Sequence, residues 1–342
     1  MLEAVQLGNS GLRVSELCLG TMNFGIPGRG HQGDWTLTLE EARPIVKAAI
    51  DHGLFYFDCA DIYGLGASEE VVGALLKELL PRDEYVLATK IAMPMGRGAN
   101  QGGLSRKHVR EGIDACLQRT GHDYIDHLVI HRHPHGIPGS ARTPIEETLE
   151  ALHDAVKEGK VLYLGGSSMF AWQFAELQLT AKMNNWTPFV SMQNHHNLVY
   201  REEEREMNPY CASTGVALTP WSPLARGILA GSYQGGFSGG STSRSQGQDR
   251  KRTEGLYQGD HVFPIAERVI ETASKYECSP AQIAVAWLKG RPEVTSPIVG
   301  VSKVSQLEDL VAAAAIELAA EDVAYLEELY QPVENLLSIG IS

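Results

Sequence analysis

Short apolar segments alternate with longer segments of helical periodicity along the whole chain. Eight apolar segments have the near-continuous hydrophobic character of parallel strands that are covered on both faces. They are residues 17–22, 54–60, 85–90, 127–132, 161–168, 189–194, 216–223 and 296–302. The segments of helical period are residues 39–52, 68–80, 105–120, 144–158, 170–183, 201–214, 263–275, 280–290, 304–315 and 321–330. The pattern therefore predicts strands and helices that alternate from one end of the chain to the other.

Residues typical of helix ends support this division. Ser68, Ser105 and Thr143 stand where three of the helices should begin, and a hydroxyl there can accept a hydrogen bond from the first turn. Glycine, which tolerates the left-handed backbone of a helix C-terminus, stands where four helices should end, at positions 53, 121, 159 and 215. The predicted helices therefore have defined ends.

Eight strand-then-helix units are the number that closes a (β/α)8 barrel. We therefore predict an α/β TIM barrel, in one domain over residues 1–342, with extra helices at its C-terminal end. The segment AVQLGNSGLRVS predicts a β-hairpin that turns at residues 9–11 before the barrel. A glycine- and serine-rich stretch, residues 234–249, predicts a flexible loop over about residues 230–260. A doubly wound open sheet with a second domain would need a break in composition near the middle, and the sequence has none.

Composition and charge narrow the class of protein. The chain carries 29 basic and 42 acidic side chains, a net charge of −13, so we expect no long basic surface for nucleic acid or anionic lipid. Five scattered cysteines without CxxC spacing indicate reduced thiols. We see no secretion signal and no apolar run long enough to span a bilayer. We expect a cytoplasmic protein whose partner is a small molecule, and the sequence leaves a homo-oligomer open.

Unusual polar side chains stand at the ends of three consecutive predicted strands. Asp58 ends the second strand, Lys90 the third and His131 the fourth, and Tyr63 lies in the loop after Asp58. The carboxyl ends of barrel strands share one face, where catalytic groups of this fold gather. Asp58 would be the counter-ion that a buried Lys90 requires, since an unpaired buried charge costs several kcal/mol.

The same four residues suggest proton transfer to or from a carbonyl oxygen. The Lys90 ammonium should lower the pKa of the neighbouring Tyr63 phenol from about 10 toward working pH. Tyr63 would then act as a general acid for that oxygen, and as a base in the reverse direction. His131 would donate a second hydrogen bond to it. Each residue alone is more often structural, so the prediction depends on all four occurring together.

Motifs around these residues resemble those of the aldo-keto reductase superfamily over practically the whole chain. They are FDCADIYGLGASEEVVG, ATK, LVIHR, LGGSSM, SMQNHHNL, TPWSPLARG and IVGVSK. Two further segments, GGLSRKHVREGIDACLQRTGHDYID and SSMFAWQFAELQ, are similar to the aryl-alcohol-dehydrogenase-like bacterial and fungal branch. The resemblance implies a (β/α)8 barrel and NADPH-dependent reduction of aldehydes and ketones. It also implies a catalytic set of Asp58, Tyr63, Lys90 and His131.

The resemblance further implies a binding site for NADPH at the same end of the barrel. Side chains that end the fifth and sixth strands would bind the nicotinamide amide, and Trp221 would stack on the nicotinamide ring. Backbone N–H groups and Arg226 would meet the pyrophosphate, with the glycine-rich segment as a lid, and Lys303 at a helix N-terminus would bind the 2′-phosphate. On this basis we expect NADP rather than NAD. The predicted cofactor-binding residues are Gly20, Thr21, Met22, Asp58, Ser167, Ser168, Gln193, Trp221, Ser222, Pro223, Leu224, Arg226, Gly227, Gly300, Ser302, Lys303, Gln306 and Asp309.

The substrate pocket is where the sequence departs from the resemblance. The family segment often reads HRWD, whereas this chain has HRHPH at residues 131–135, and His196 stands where Tyr or Phe is common. Both differences concern the substrate rather than the catalytic set. We predict that the pocket is lined by Phe24, Trp35, Tyr63, His131 and His133. The substrate itself does not follow from the sequence.

Three other functions stay open. The histidines of HRHPH and of NHHN, residues 194–197, have spacings that suit zinc, so a metal-dependent barrel hydrolase is one alternative. Against it, the eighth strand lacks the expected aspartate, and we predict no metal site. GLGASE, residues 64–69, is an incomplete match to the Rossmann glycine motif. A non-catalytic NADPH sensor with the same barrel would keep all four catalytic residues.

Overall fold

The fold is seen in a computed structural model that describes residues 1–30, 35–137, 142–233, 235–247 and 249–335. Within the predicted loop at about 230–260, residues 234 and 248 lie outside this description. The strands are β1 (Ala4–Gln6), β2 (Arg13–Ser15), β3 (Cys18–Gly20), β4 (Tyr56–Asp58), β5 (Val86–Ile91), β6 (Ile125–Ile130), β7 (Val161–Ser167), β8 (Phe189–Gln193), β9 (Ala217–Leu218) and β10 (Ile298–Val299).

Eight of these strands, β3 to β10, run parallel in one curled sheet. Their order in the sheet is β10-β3-β4-β5-β6-β7-β8-β9. The first and last strands in this order are joined by backbone hydrogen bonds from Thr295 to the Leu218 carbonyl and from Ile298 to the Pro220 carbonyl, both 2.9 Å long. The sheet thus closes on itself, and the predicted (β/α)8 barrel is confirmed.

The helices surround the barrel. They are α1 (Leu39–Asp51), α2 (Ala67–Leu79), α3 (Arg106–Thr120), α4 (Ile145–Lys157), α5 (Ala171–Met183), α6 (Met207–Thr214), α7 (Ser243–Gln246), α8 (Asp249–Leu256), α9 (Val262–Lys275), α10 (Pro280–Lys289), α11 (Val304–Ala312) and α12 (Ala320–Glu327). Most have bounds within two residues of those predicted, because an apolar stripe of helical period packs against the outer face of the sheet.

Two segments differ from the prediction. Residues 201–214 do not form one helix but a 3₁₀ turn, Glu202–Glu204, followed by α6. Pro209 explains the break, since within a continuous helix its ring would clash with the carbonyl of the residue four positions earlier. The segment predicted as a flexible loop contains α7 and α8, and Thr253 of α8 is completely buried.

The N-terminal hairpin closes the amino-terminal end of the barrel. Its strands pair as predicted, with Ala4 opposite Ser15. The Asn9 N–H donates to the Gly215 carbonyl at 2.7 Å, just before β9. Gly8 has a φ of +57°, and a Cβ there would lie 2.6 Å from the Val190 carbonyl oxygen, so only glycine fits this approach. The hairpin therefore covers the amino-terminal end of the barrel, opposite the strand ends that carry the predicted site residues.

Two further expectations bear on the whole chain. All five cysteines are free thiols, and four of them are buried. In the part of the chain that the structure describes, no helix is both long enough and apolar enough to cross a bilayer.

Candidate active site

Parallel pairing brings the predicted catalytic residues to one end of the barrel. Asp58 is the last residue of β4 and pairs in register with Ala88 of β5. Lys90, two residues further along β5, therefore points to the same side of the sheet as Ala88 and lies at the carboxyl end. The His131 N–H donates to the Ile91 carbonyl at 2.9 Å, which continues the ladder past β6.

Lys90 is the centre of the arrangement. Its side chain is completely buried. Its ammonium donates to Asp58 Oδ2 at 2.5 Å, to the Cys59 carbonyl at 2.7 Å and to the Tyr63 hydroxyl at 3.4 Å. The three N–H groups of the ammonium thus each have an acceptor, which offsets part of the cost of burying the charge.

Asp58 is held by residues that the sequence placed in the cofactor site. Gln193 Nε2 donates to Asp58 Oδ1 at 2.9 Å, so both carboxylate oxygens accept a hydrogen bond. Thr21 donates to the Asp58 carbonyl twice, from its N–H at 2.9 Å and from its hydroxyl at 3.0 Å. Gln193 therefore holds the carboxylate that anchors Lys90, and Thr21 holds the backbone of the same residue.

The pKa of Tyr63 differs from the expectation. Burial raises the pKa of this phenol more than the positive charge of Lys90 lowers it, and the net pKa lies above the ordinary value. The predicted direction is therefore wrong, because the depth of the hydroxyl outweighs its cationic neighbour. Burial is the largest single influence on the pKa of Lys90 and would lower it. The charges of Asp58 and Tyr63 and the hydrogen bond to Asp58 together oppose burial, and the net pKa is raised. At neutral pH a neutral phenol thus faces a charged ammonium.

His131 packs against Tyr63 from the next strand end. The two rings meet edge to face, with centroids 5.9 Å apart and planes 82° apart. Burial is the main cause that lowers the pKa of His131 well below its usual value, so the imidazole is neutral. Its Nδ1 is buried and has no hydrogen-bond partner among the described residues. A neutral imidazole still carries one N–H that can donate to a substrate oxygen.

A polar layer fills the barrel below this site. The Tyr56 hydroxyl and His127 Nδ1 form a hydrogen bond of 2.8 Å, and the Ser191 hydroxyl and His127 Nε2 form one of 2.7 Å. Burial lowers the pKa of His127 to about 3. The layer is therefore neutral, and Asp58 stays the counter-ion of Lys90.

The residues predicted to bind the nicotinamide come together at the ends of β7 and β8. The Ser167 hydroxyl donates to the Gln193 carbonyl at 2.9 Å. The Trp221 indole N–H donates to the Ser168 hydroxyl at 3.0 Å, across 53 positions of the chain. Ser168 has a φ of +48°, an unusual value for a residue other than glycine. The Ser168 hydroxyl thus lies at the N–H edge of the Trp221 ring.

Trp221 is the outer ring of a stack of three rings that the sequence did not predict. His195 is parallel to Trp221, and Tyr200 covers the other face of His195, with centroids 4.3 Å apart. The Tyr257 hydroxyl and His195 Nε2 form a hydrogen bond of 2.8 Å. Burial lowers the pKa of His195 well below its usual value. The NHHN motif, considered above as a zinc signal, thus places a neutral ring in a stack.

The segment predicted to meet a pyrophosphate has an unusual backbone. Ser222, Ala225 and Arg226 have φ values of +56°, +46° and +57°, which residues other than glycine rarely adopt. The Arg226 guanidinium forms a buried ion pair with Asp249 of α8. Its Nε also donates to the Thr253 hydroxyl at 3.2 Å. Arg226 therefore lies in the predicted segment but is bound to α8.

The predicted phosphate and adenine residues collect around the start of α11. Gln306 Oε1 accepts from the Ser302 N–H at 2.8 Å, and Asp309 Oδ2 accepts from the Ser279 hydroxyl at 2.6 Å. Lys303 is exposed at the N-cap position and forms no ion pair within the described ranges. An unpaired cation at the amino end of a nine-residue helix suits an anionic group.

The other predicted residues have mixed placements. Gly20 ends β3, and a Cβ there would lie 2.7 Å from an Ile298 side-chain methyl group. Phe24 lies in the loop after β3, is 1% exposed and packs in the hydrophobic core, so the structure does not show it lining an open pocket. His133 is also buried, with its ring edge to face with His135. Trp35 is half-buried. Thr21, Met22 and Gly300 stand beside the ends of β3 and β10, whereas Pro223, Leu224 and Gly227 lie in the segment that follows β9.

The histidines considered for zinc do not converge. His196 Nε2 lies 2.8 Å from Glu204 Oε1, away from the His195 stack. Across the described residues, no three His, Cys, Asp or Glu side chains are arranged to hold a metal ion.

The chain is similar to known proteins over nearly its whole length. The model of the Aldo/keto reductase family matches residues 16–331. A putative aryl-alcohol dehydrogenase of Schizosaccharomyces pombe is 44% identical, over 96% of this chain and 95% of its own length. The versiconal hemiacetal acetate reductase of Aspergillus parasiticus is 40% identical, over 97% of this chain and 98% of its own. A putative aryl-alcohol dehydrogenase of Saccharomyces cerevisiae is 34% identical, over 97% and 98% respectively.

Proposed function

The chain belongs to the aldo/keto reductase family, which makes it an oxidoreductase of small carbonyl compounds with a nicotinamide cofactor, and we propose that it reduces aldehydes or ketones with NADPH and catalyses the reverse oxidation. The observation that carries the proposal is the position of Lys90, which donates to Asp58 and to the Tyr63 hydroxyl from a completely buried site. A proton donor at Tyr63 would thus lie against a fixed positive charge.

Tyr63 acts as the general acid in the reductive direction. When bound, the reduced nicotinamide supplies a hydride to the carbonyl carbon. The Tyr63 O–H gives its proton to the carbonyl oxygen, and the Lys90 ammonium stabilises the phenolate that remains. The raised pKa of Tyr63 keeps the phenol protonated before the transfer. His131, as a neutral ring beside Tyr63, donates a hydrogen bond that orients the same oxygen.

The chemistry of the surrounding residues supports NADP(H) as the cofactor. Ser167 and Ser168 offer hydroxyl groups to the nicotinamide amide, and Trp221 offers a flat face for the ring. Four residues of this segment, Ser222, Ala225, Arg226 and Gly227, have positive φ values, and turns of this kind would offer peptide groups to a pyrophosphate. Lys303 at the start of α11 would pair with the 2′-phosphate, which NAD lacks.

Replacement of the phenol tests the proposal. We expect Tyr63→Phe to lower kcat for a simple aromatic aldehyde by about 10²–10⁴, the usual loss when a general acid is removed. Binding of NADPH, followed by its fluorescence, should stay within about threefold of wild type, because the ring is retained. Tyr85→Phe is the matched control, since Tyr85 stands just before β5 at the other end of the barrel. Full activity of Tyr63→Phe, or a wild type that binds NADPH without turning over any carbonyl, would overturn the proposal.

A further inference from the structure

A buried carboxyl group connects strand β5 with the two helices beside it. Glu69, in the first turn of α2, is completely buried. Its Oε2 accepts from Arg119 Nε of α3 at 2.5 Å, and its Oε1 accepts from the Thr89 hydroxyl of β5 at 2.5 Å. The proposed proton transfer does not use Glu69, so a different role must explain why a carboxyl group is buried at this place.

The ion pair of Glu69 with Arg119 is a weak source of stability. Burial raises the pKa of Glu69 even though the positive charge of Arg119 opposes this effect. The folded protein therefore holds the ionised carboxyl group at a cost in free energy. What a buried ion pair can supply is a fixed arrangement of the segments that it joins.

Thr89 connects Glu69 to the strand that carries Lys90. The two residues are neighbours on β5, and successive side chains of a strand point to opposite faces of the sheet. The Lys90 side chain enters the barrel, where it meets Asp58, so the Thr89 side chain faces outward to the helices. The hydrogen bond between Thr89 and Glu69 thus ties β5 to α2 one residue before the catalytic lysine.

Arg119 connects Glu69 to the turn that carries Tyr63. This turn, Tyr63–Gly66, leads directly into α2, and its Leu65 has a φ of +50°, a value that residues other than glycine rarely adopt. Such a conformation persists where the surrounding contacts hold it. A Cβ at Gly66 would lie 2.6 Å from Arg119 Nε, so the Arg119 side chain packs directly on the backbone at the end of the turn.

Through these two partners, Glu69 links the segments whose separation matters for the reaction. The Lys90 ammonium donates to the Tyr63 hydroxyl at 3.4 Å, which is close to the longest distance at which a hydrogen bond forms. Before Tyr63, the chain is fixed by the Asp61 N–H, which donates to the Lys90 carbonyl at 3.1 Å. After Tyr63, the turn is held by its contact with Arg119. A small shift of α2 or of the turn would therefore break the contact between Lys90 and Tyr63.

We propose that Glu69 is a positioning residue for the reaction. It acts through Thr89 and Arg119, and the position that it fixes is that of the Tyr63 hydroxyl relative to the Lys90 ammonium. This inference rests on the proposed function. Because Glu69 lies on the outer side of β5, its replacement should slow the proton transfer and leave the binding of the cofactor unchanged.

Two variants test the two links separately. Glu69→Gln removes the charge that binds Arg119, and Thr89→Val removes only the hydroxyl that donates to Glu69. We expect the single-turnover rate of reduction of a simple aromatic aldehyde to fall about tenfold in Glu69→Gln and about threefold in Thr89→Val, since a misplacement of about 1 Å can cost about 10² in rate. The Kd for NADPH should stay within about twofold of wild type. Thr89→Ser, which keeps the hydroxyl, should recover most of the rate.

The pH profile of alcohol oxidation separates positioning from a direct effect of charge. Besides burial, the charges of Lys90, Asp58 and Arg132 act on the pKa of Tyr63. Loss of the contact with Lys90 would raise this pKa, so the rise of kcat for oxidation should move to higher pH in both variants. Removal of the negative charge of Glu69 would by itself move the rise to lower pH, and the second variant changes no charge.

Asp126→Asn is the matched control. Asp126 is also a buried carboxyl group that binds an arginine and strand β5, since its Oδ2 accepts from Arg82 Nη2 at 2.6 Å and from the Leu87 N–H at 2.9 Å. It lies at the amino-terminal side of β5, so its loss should leave the single-turnover rate and the pH profile unchanged. The Tm of every variant is measured alongside, so that the rates are compared on folded protein.

Crystal structures test the inference without catalysis. We expect the distance from Lys90 Nζ to the Tyr63 hydroxyl, 3.4 Å in the wild type, to exceed hydrogen-bonding range in Glu69→Gln. An unchanged distance would overturn the positioning role, and so would unchanged rates and pH profiles in both variants or an equal loss of rate in Asp126→Asn. Turnover by the wild type in any of these cases would leave the proposed function intact, whereas a wild type that reduces no carbonyl would refute that function.

Discussion

The rings of His195 and Trp221 are stacked face to face, with centroids 4.0 Å apart and planes 8° apart. Tyr200 covers the opposite face of His195 at an angle of 13°, and Tyr257 is hydrogen-bonded to its Nε2. The surface proposed to receive the nicotinamide is therefore the last ring of a stack. The stack fixes the plane of Trp221 before any ligand binds.

Removal of the middle ring should weaken cofactor binding. We expect His195→Ala to raise the Kd for NADPH by about two- to tenfold, since an aromatic pair contributes about 0.5–1.5 kcal/mol beyond area burial. His195→Phe keeps the stacked ring and loses the hydrogen bonds of Nε2 with the Tyr257 hydroxyl and Asn197 Nδ2, so it should retain most of the affinity. The measurement is quenching of protein fluorescence by NADPH.

His122→Ala is the matched control for this experiment. His122 also packs on a tyrosine, Tyr85, but at the amino-terminal side of β5, far from the strand ends that hold the site. Its loss should affect stability and leave the Kd unchanged. A Kd in His195→Phe as high as in His195→Ala would show that the hydrogen bond, and not the stack, supports Trp221.

The raised pKa of Tyr63 predicts opposite pH profiles for the two directions. Reduction requires the protonated phenol, so kcat should be flat from about pH 6 to 9 and fall only as pH approaches the pKa of Tyr63, above its ordinary value of about 10. Oxidation of an alcohol requires the phenolate, so kcat for oxidation should rise as pH increases toward the pKa of Tyr63. Steady-state rates in both directions, followed by cofactor absorbance, give the two profiles.

Lys90→Met should raise the pKa of Tyr63 further, because the positive charge that opposes burial is lost. We expect oxidation at about pH 9 to fall at least tenfold, with its rise displaced to higher pH. Near-normal turnover of Lys90→Met in both directions would show that the ammonium does not act on the phenol.

The cation at the start of α11 should distinguish the two nicotinamide cofactors. We expect Lys303→Ala to raise the Kd for NADPH by about tenfold, as for a lost charge-assisted contact, and to change the Kd for NADH by less than about twofold. Lys107→Ala, at an exposed lysine on α3, serves as the control. Equal losses for both cofactors would remove the reason for choosing NADP.

A buried glutamate outside the site should make the stability of the fold depend on pH. Glu203 is 5% exposed, and burial with the nearby negative charge of Glu202 raises its pKa to about 8. The folded state therefore binds one more proton than the unfolded state between about pH 4.3 and 8, so the unfolding free energy falls as pH rises through this window. Glu203→Gln, which is neutral at every pH, should raise Tm more at pH 8.5 than at pH 5. Glu206→Gln, at an exposed position, is the control and should not change Tm in this way. An equal change of Tm in Glu203→Gln at both pH values would contradict the raised pKa.

The helix signals show how far local sequence determines local structure. Ser105 caps α3 as predicted, with its hydroxyl accepting from the His108 N–H at 3.3 Å. Ser68 does not cap α2, because it donates to the Thr21 carbonyl at 2.8 Å and the helix begins at Ala67. The capping preference of Ser68 was overridden by a neighbour 47 positions away.

In the candidate site, too, some features follow from the local sequence and others from the tertiary structure. The convergence of Asp58, Lys90 and His131 was predictable, since parallel strands in register place their carboxyl ends together. The pairing of Arg226 with Asp249 was not predictable, because it joins a strand end to a segment whose composition suggested a flexible loop.

The sequence alone determined the number and order of the strand-helix units and which side chains stand at the strand ends. Both follow from periodicity and covalent order, which are properties of neighbouring residues. Only the tertiary structure decided the sign of the pKa shift of Tyr63, the ring behind Trp221 and the pairing of Arg226 with α8. Those depend on depth and on distances between segments far apart in the chain, which no local pattern encodes.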